Sequence, residues 1–146
     1  MEYYTLETKL NDFSAAHRIL NNYSGKCRNL HGHNYAVTVF LQSTCLDESD
    51  FVMDFSTIKQ IFNAWINNNV DHSVIVSNFD QSLLKFLEKE KQKHYIITEN
   101  KNTSVEVLAK HFYDKFNSCL LNNPNVTLYK IQLHETATSS AIYQQE

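Results

Sequence analysis

The stretch Cys27-Arg28-Asn29-Leu30-His31-Gly32-His33-Asn34-Tyr35 decides how the chain is read. It combines a thiol, two imidazoles one residue apart and one of the chain's two glycines. Apolar residues then alternate from Tyr35 to Leu41. A strand repeats every two residues, so a strand that starts early enough puts His31 and His33 on one face. Two imidazoles side by side are half of a metal site. The bland alternative is a pair of ordinary histidines at a strand edge. Cys27 is either a third ligand or a nucleophile or base beside the metal.

Working outward, residues 3 to 13 alternate loosely, with Tyr4, Leu6 and Leu10 on one parity, and read as a strand that ends at Phe13-Ser14-Ala15-Ala16-His17. Residues 18 to 30 read as a loop, and Arg18, Lys26 and Arg28 set three cations near the opening stretch. Residues 34 to 43 form a second strand, antiparallel to the first. A hairpin of these two strands brings His17 up to the HxH pair, which makes it the best third ligand. His72, His94, His111 and His134 are the other candidates, and His94 and His111 look incidental. Three histidines plus an open position is one established catalytic zinc set.

The remainder supplies a helical layer. Asp54 or Ser56 caps a helix in which Ile58, Ile61, Phe62, Trp65 and Ile66 form one apolar face. The dipeptide Asp71-His72 follows in a loop; an Asp can orient a His and raise its basicity when geometry permits. Asp80 caps a second helix, Gln81 to Lys93, and Tyr95 to Ile97 is a short strand. Thr103 and Glu106 have capping-box spacing ahead of a helix burying Val105, Leu108, Phe112, Phe116 and Leu120. Val126 to Glu135 and Thr138 to Tyr143 close the chain as strands. Glu135, at a strand end, is either simply exposed or a buried carboxylate able to grip a guanidine-like edge through two parallel hydrogen bonds. The order β-β-α-(α-β)-α-β-β is an α+β pattern with antiparallel strands and no second domain.

Composition narrows the function classes. The chain has 146 residues, 42% apolar and 12% aromatic, enough for one domain with a core. A net charge of −3 argues against general nucleic-acid or anionic-membrane binding. No apolar run approaches a membrane span, and the first residues lack signal-peptide character. Three cysteines do not suggest a disulfide framework, so a reducing cytosol is expected. Cations or a metal beside Cys27 favour its thiolate, while Cys45 and Cys119 read as structural or incidental. A zinc deaminase is unsupported, because neither H-x-E nor P-C-x-x-C occurs.

Taken in order, Phe13–His17, Cys27-x-x-x-His31-Gly32-His33-Asn34-Tyr35, Val52-Met53-Asp54-Phe55, Asp71-His72, Thr103–Lys110 and Glu135–Tyr143 resemble the 6-pyruvoyl tetrahydropterin synthase and 6-carboxytetrahydropterin synthase family. The resemblance runs from about residue 4 to residue 146 as a single domain. It implies zinc on His17, His31 and His33, with Cys27 as general base. It implies Asp71 and His72 as a proton relay, and Glu135 as anchor of the pterin ring. Ser104 is expected among the substrate contacts, and Lys26 and Arg28, with Arg18, near a triphosphate. The short Cys27-to-His31 spacing and Asp54-Phe55 resemble the bacterial 6-carboxytetrahydropterin synthases of queuosine biosynthesis. These convert 7,8-dihydroneopterin triphosphate to 6-carboxy-5,6,7,8-tetrahydropterin, acetaldehyde and triphosphate. The alternative is the 6-pyruvoyl tetrahydropterin branch.

The resemblance also implies the tunnelling fold. Four antiparallel strands carry helices on one face, three subunits close a barrel, and two trimers stack as a homohexamer with active sites between subunits. The chain departs from the family's usual Pro-Thr-(Ala/Ser)-Glu at Thr103-Ser104-Val105-Glu106. It also carries a longer segment, about 77 to 102, read as an added helix and strand packed outside.

Overall fold

A computed structural model describes residues 1–146. Its axis is β3 (His31–Ser43), the longest strand at 13 residues. The odd-numbered residues Tyr35, Val37, Val39 and Leu41 are fully buried along it. Two strands lie end to end against its one edge. β1 (Tyr4–Lys9) pairs with its second half, from Tyr4↔Ser43 to Lys9↔Thr38. β2 (Phe13–His17) pairs with its first half, from Phe13↔Tyr35 to His17↔His31. The expected single strand is therefore broken at residues 10–12, and the register slips by one residue there. That slip exchanges the faces. Thr8 and Leu10 point inward before it; Phe13, Ala15 and His17 point inward after it.

The other edge of β3 pairs with β6 (Thr127–His134), and β6 pairs with β7 (Ser140–Gln144), both antiparallel. A second register shift, at Phe40/Leu41, lets Leu128, Ile131 and Leu133 all face the core. These strands supply the expected four-stranded antiparallel sheet. The sheet as a whole is mixed, however. β4 (Ser73–Ser77) runs parallel to β2, and β5 (His94–Ile97) runs parallel to β4. The path is β5-β4-β2-β3-β6-β7. Sequence reading assigns no element to Ser73–Ser77. Its β-branched centre Val74-Ile75-Val76 is too short a run for periodicity to separate strand from loop.

Two helices cover the inner face. α1 (Phe55–Asn69) is capped by Asp54, which accepts from the Ser56 N–H, and buries Ile58, Phe62 and Ile66. α2 (Gln81–Lys89) is capped by Asp80 and sets Leu83, Leu84 and Leu87 against Val76, outside the main core. It ends four residues earlier than periodicity suggests. Lys91 takes φ 53°, and the Lys91 and Gln92 N–H groups close back on Glu88 and Leu87 carbonyls. This is a left-handed helix stop made without glycine. α3 (Val105–Cys119) is capped by Ser104, not Thr103: the Ser104 hydroxyl accepts from the Val107 N–H at 3.3 Å. Aromatic packing joins the layers, with Phe62 on Phe116 at 4.7 Å, Trp65 on Phe112 at 5.4 Å and Phe13 on Phe112 at 5.8 Å between ring centroids.

Candidate metal centre and active site

The β2–β3 ladder assembles the site. His17 pairs directly with His31, and Ala15 with His33, so one inner face carries three imidazoles. Their ring centroids are 4.7, 5.2 and 4.9 Å apart. His17 is 1% exposed and the other two are half-buried. Nδ1 of His17 lies 2.8 Å from the Thr103 carbonyl, and Nδ1 of His31 lies 2.7 Å from the Asn29 carbonyl. A carbonyl only accepts, so each Nδ1 carries the proton and each Nε2 keeps a lone pair. Second partners of this kind fix the tautomer of metal-binding histidines.

The Nε2 atoms of His17, His31 and His33 are all buried without a hydrogen-bond partner. Three unpartnered ring nitrogens in one place, two of them acceptors by their tautomer, call for a common partner, since each costs stability when unsatisfied. The three ligand nitrogens lie within 4.8 Å of one another. Corners of a tetrahedron with metal–nitrogen distances near 2.05 Å are roughly 3.4 Å apart, so a slight contraction closes the set. Burial pulls His17 down to about 4, against the opposing bond to Thr103, with His31 and His33 adding to the fall. Burial lowers His33 as well, partly offset by Glu135. Neutral imidazoles are the form a metal takes.

Glu135 stands at the rim, where its Oε1 is 3.5 Å from His33 Nε2 without a hydrogen bond between them. A tight turn aims it there: the Glu135 and Thr136 N–H groups both reach the Ser139 carbonyl. Below the imidazoles, Tyr35 stacks on Phe13 at 5.1 Å and stands edge-on to His33 at 5.5 Å.

Cys27 sits half-buried on a 3-10 turn, Lys26–Arg28, leading into His31. Its carbonyl accepts from the Ile19 N–H at 2.9 Å, which ties the turn to the end of the strand carrying His17. The three expected cations differ. Arg18 is committed to Asp80 through two bonds of 2.7 and 2.6 Å. Arg28 donates Nη1 to the Leu20 and Tyr23 carbonyls, bracing its own loop. Lys26 is exposed.

Asp71 and His72 are elsewhere. They lie at the start of β4, beyond β2. The Ser14 N–H donates to Asp71 Oδ1 at 3.0 Å, and the His72 N–H donates to the Ser14 carbonyl at 2.7 Å. His72 Nδ1 is 3.0 Å from Asp71 Oδ1, with its side chain 82% exposed. Burial pushes the Asp71 carboxyl up, but the Ser14 N–H, His72 and Lys93 outweigh it and hold it below its ordinary value. His72 has φ 58°, a strained value for a non-glycine residue. It lines a cavity of about 420 Å³ with Ala15, His33, Ser73 and the outward-facing Ser14, Ala16, Gly32 and Asn34, which alternate along the strands with His17, His31 and His33. The pair therefore occupies the outer face of the ribbon whose inner face holds the histidines.

The profile of the 6-pyruvoyl tetrahydropterin synthase family matches residues 7–146. The chain belongs to this family. A 6-carboxy-5,6,7,8-tetrahydropterin synthase from Aquifex aeolicus is 36% identical over 126 residues, covering 83% of this chain and 77% of that protein. The protein of the same name from Rickettsia typhi is 32% identical over 130 residues, covering 88% and 92%. The structure of Caenorhabditis elegans 6-pyruvoyl tetrahydropterin synthase superposes with a TM-score of 0.70 at 27% identity, covering 100% of this chain and 98% of that one. The fold is thus the α+β tunnelling fold of 6-pyruvoyl tetrahydropterin synthases.

Within this family fold, the structure brings His17, His31, His33 and Glu135 together and sets Cys27 on the adjoining turn. It does not bring Asp71–His72 to the inner face of the same chain. Sequence reading misses the residues that support the set. Thr103, fully buried, serves His17 across 86 positions. Asn102 serves the Cys27 loop across 82 and 81 positions. Only the Thr103-for-Pro departure points to this place in the sequence, and it does not say what Thr103 touches.

Proposed function

We propose that this chain is a zinc-dependent 6-carboxy-5,6,7,8-tetrahydropterin synthase that takes 7,8-dihydroneopterin triphosphate to 6-carboxytetrahydropterin, acetaldehyde and triphosphate, as in queuosine biosynthesis. The observation that carries the reading is the buried face of three imidazoles with unpartnered Nε2 atoms. His17, His31 and His33 would hold zinc, which when bound supplies Lewis-acid polarisation of substrate oxygen. Glu135 accepts the 2-amino and ring N–H groups of the pterin as a paired acceptor. The Cys27 thiolate removes the side-chain proton. Asp71 orients His72, which passes protons to and from solvent. Ser104 combines its capping role with a substrate contact, and Lys26, with the unused donors of Arg28, meets the triphosphate.

Because His72 faces outward, it serves the metal centre of another copy. The edges of β1 and β7 pair with no further strand, which suits copies joining edge to edge into a closed barrel. We place the enzyme in a homohexamer of two trimers. Its three free cysteines fit the cytosol, and no helix is long and apolar enough to cross a membrane.

The test is product analysis. Purified protein is given 7,8-dihydroneopterin triphosphate, with bound metal measured in parallel. Acetaldehyde released in step with triphosphate is expected, and triphosphate release without acetaldehyde overturns the reading in favour of the 6-pyruvoyl branch. Cys27→Ala abolishes turnover if the thiol is the base; wild-type turnover removes Cys27 from the mechanism.

A further inference from the structure

The loop bearing Cys27 has little of its own to hold it. Residues 19 to 30 are exposed or half-buried throughout, and none enters the core. Several of the loop's hydrogen bonds are internal, including Arg28 to Leu20 and Tyr23, and Asn29 Nδ2 to the Lys26 carbonyl. Apart from the His31 ring on the Asn29 carbonyl, one side chain joins this loop to the rest of the chain by hydrogen bonds. That side chain is Asn102. Its Oδ1 accepts from the Leu20 N–H at 3.2 Å and the Asn21 N–H at 3.0 Å, and its Nδ2 donates to the Asn21 carbonyl at 2.8 Å.

The neighbours of Asn102 make the placement consequential. Thr103 follows and orients His17, and Ser104 then caps α3. Three consecutive residues thus fix the loop, a ligand and a helix start. A carboxamide is suited to the task, since one short side chain accepts two N–H groups and donates to a carbonyl. From residues 20 and 21 the hold passes through Ile19, whose N–H meets the Cys27 carbonyl.

We infer that Asn102 is a positioning residue for Cys27, setting the thiol-bearing loop against the metal centre from the base of α3. The inference rests on the proposed role of Cys27 in proton transfer. It also gives the segment before α3 a part in the site, because that segment delivers Asn102 to the loop.

The experiment compares the intact, metal-loaded protein with Asn102→Ala and Asn102→Asp. Readouts are amide hydrogen exchange at Leu20 and Asn21, iodoacetamide labelling of Cys27 mapped by peptide mass, bound metal, kcat and KM. In Asn102→Ala, exchange at both amides speeds at least about tenfold and Cys27 labelling changes. A misplaced group costs about a hundredfold in rate, so kcat falls about tenfold to a hundredfold while KM and metal content hold. Asn102→Asp keeps an acceptor for the Leu20 and Asn21 N–H groups but sets a carboxylate oxygen against the Asn21 carbonyl, so protection and kcat fall between those of wild type and Asn102→Ala. Unchanged exchange and kcat in Asn102→Ala overturn the inference, as does loss of metal along with activity, which assigns the effect to His17. Cys27→Ala separates the two readings. If it turns over normally, the role of Cys27 fails and positioning for catalysis fails with it, while the exchange data still judge the hold on the loop.

Discussion

The two faces of the β2–β3 ribbon are built in opposite ways. The inner face holds three imidazoles, one buried and two half-buried, two with the tautomer fixed by a backbone carbonyl. The outer face holds Asp71–His72 against open space, with the imidazole 82% exposed and its backbone in the left-handed region. A metal set gains from being finished before the ion arrives, because ordering ligands afterwards costs entropy. The relay proposed for Asp71–His72 needs access to solvent and to a substrate held by another surface. On the proposed function, one face is complete within the chain and the other awaits what comes to it.

The largest expected effect breaks the inner face. His31→Ala is expected to lose bound metal, read by elemental analysis, and with it activity; full metal occupancy contradicts the ligand set. His72→Ala is expected to keep its metal and lose about 10²–10⁴ in kcat. The contrast sharpens on mixing. Co-assembled His31→Ala and His72→Ala subunits recover activity if the relay works across copies, and stay inactive if it works within one.

A smaller effect probes why the inner face resists protons. In metal-free protein, His17 sits at about 4 when folded, against an ordinary 6.5. The unfolded chain therefore binds a proton that the folded chain refuses between these values. His17's contribution is whole above pH 6.5 and lost as pH falls toward 4. The gap of about 2.5 pH units amounts to roughly 3 to 4 kcal/mol at about 1.4 kcal/mol per unit. Urea unfolding of stripped protein across this range should show the slope, reduced in His17→Gln; identical slopes count against the buried, neutral state.

The smallest effect concerns support. Thr103→Val keeps the carbonyl that accepts from His17 and removes the hydroxyl at 3.2 Å. Metal affinity should fall by less than the about tenfold to hundredfold typical of losing an outer-shell partner. A larger loss, measured by competition with a chelator, would make the hydroxyl the principal partner.

Local pattern reveals much of this molecule. The face of α1, the alternation of β3 and the caps at Asp54 and Asp80 are written in neighbouring residues and recur as expected. Lys91 shows a limit, because a lysine accepts the left-handed stop that glycine usually marks. The cap of α3 shows another. Thr103 and Ser104 both suit a cap, and Thr103 is drawn instead into the contact with His17, a competition invisible without the fold. His111, plain in sequence, is buried between Tyr95 at 2.6 Å and Glu99 at 3.1 Å, fastening β5 to α3.

The sequence alone determined the HxH pair on one strand face, the helical layer and the family, because strand and helix periods and ligand chemistry are local properties. Local pattern already made His17 the best third candidate, and the tertiary structure alone decided how it comes to face His31 and His33. In continuous register His17 would face outward with Glu7 and Lys9. The one-residue slip at 10–12 turns it inward, and the ladder to β3 holds that slip in place. The same long-range pairing put β4 beside β2, sent His72 to the opposite face, and carried Asn102 to the Cys27 loop and Thr103 to His17, each some eighty residues away. A strand's period says which residues share a face; which face meets the core is settled by partners distant in the chain.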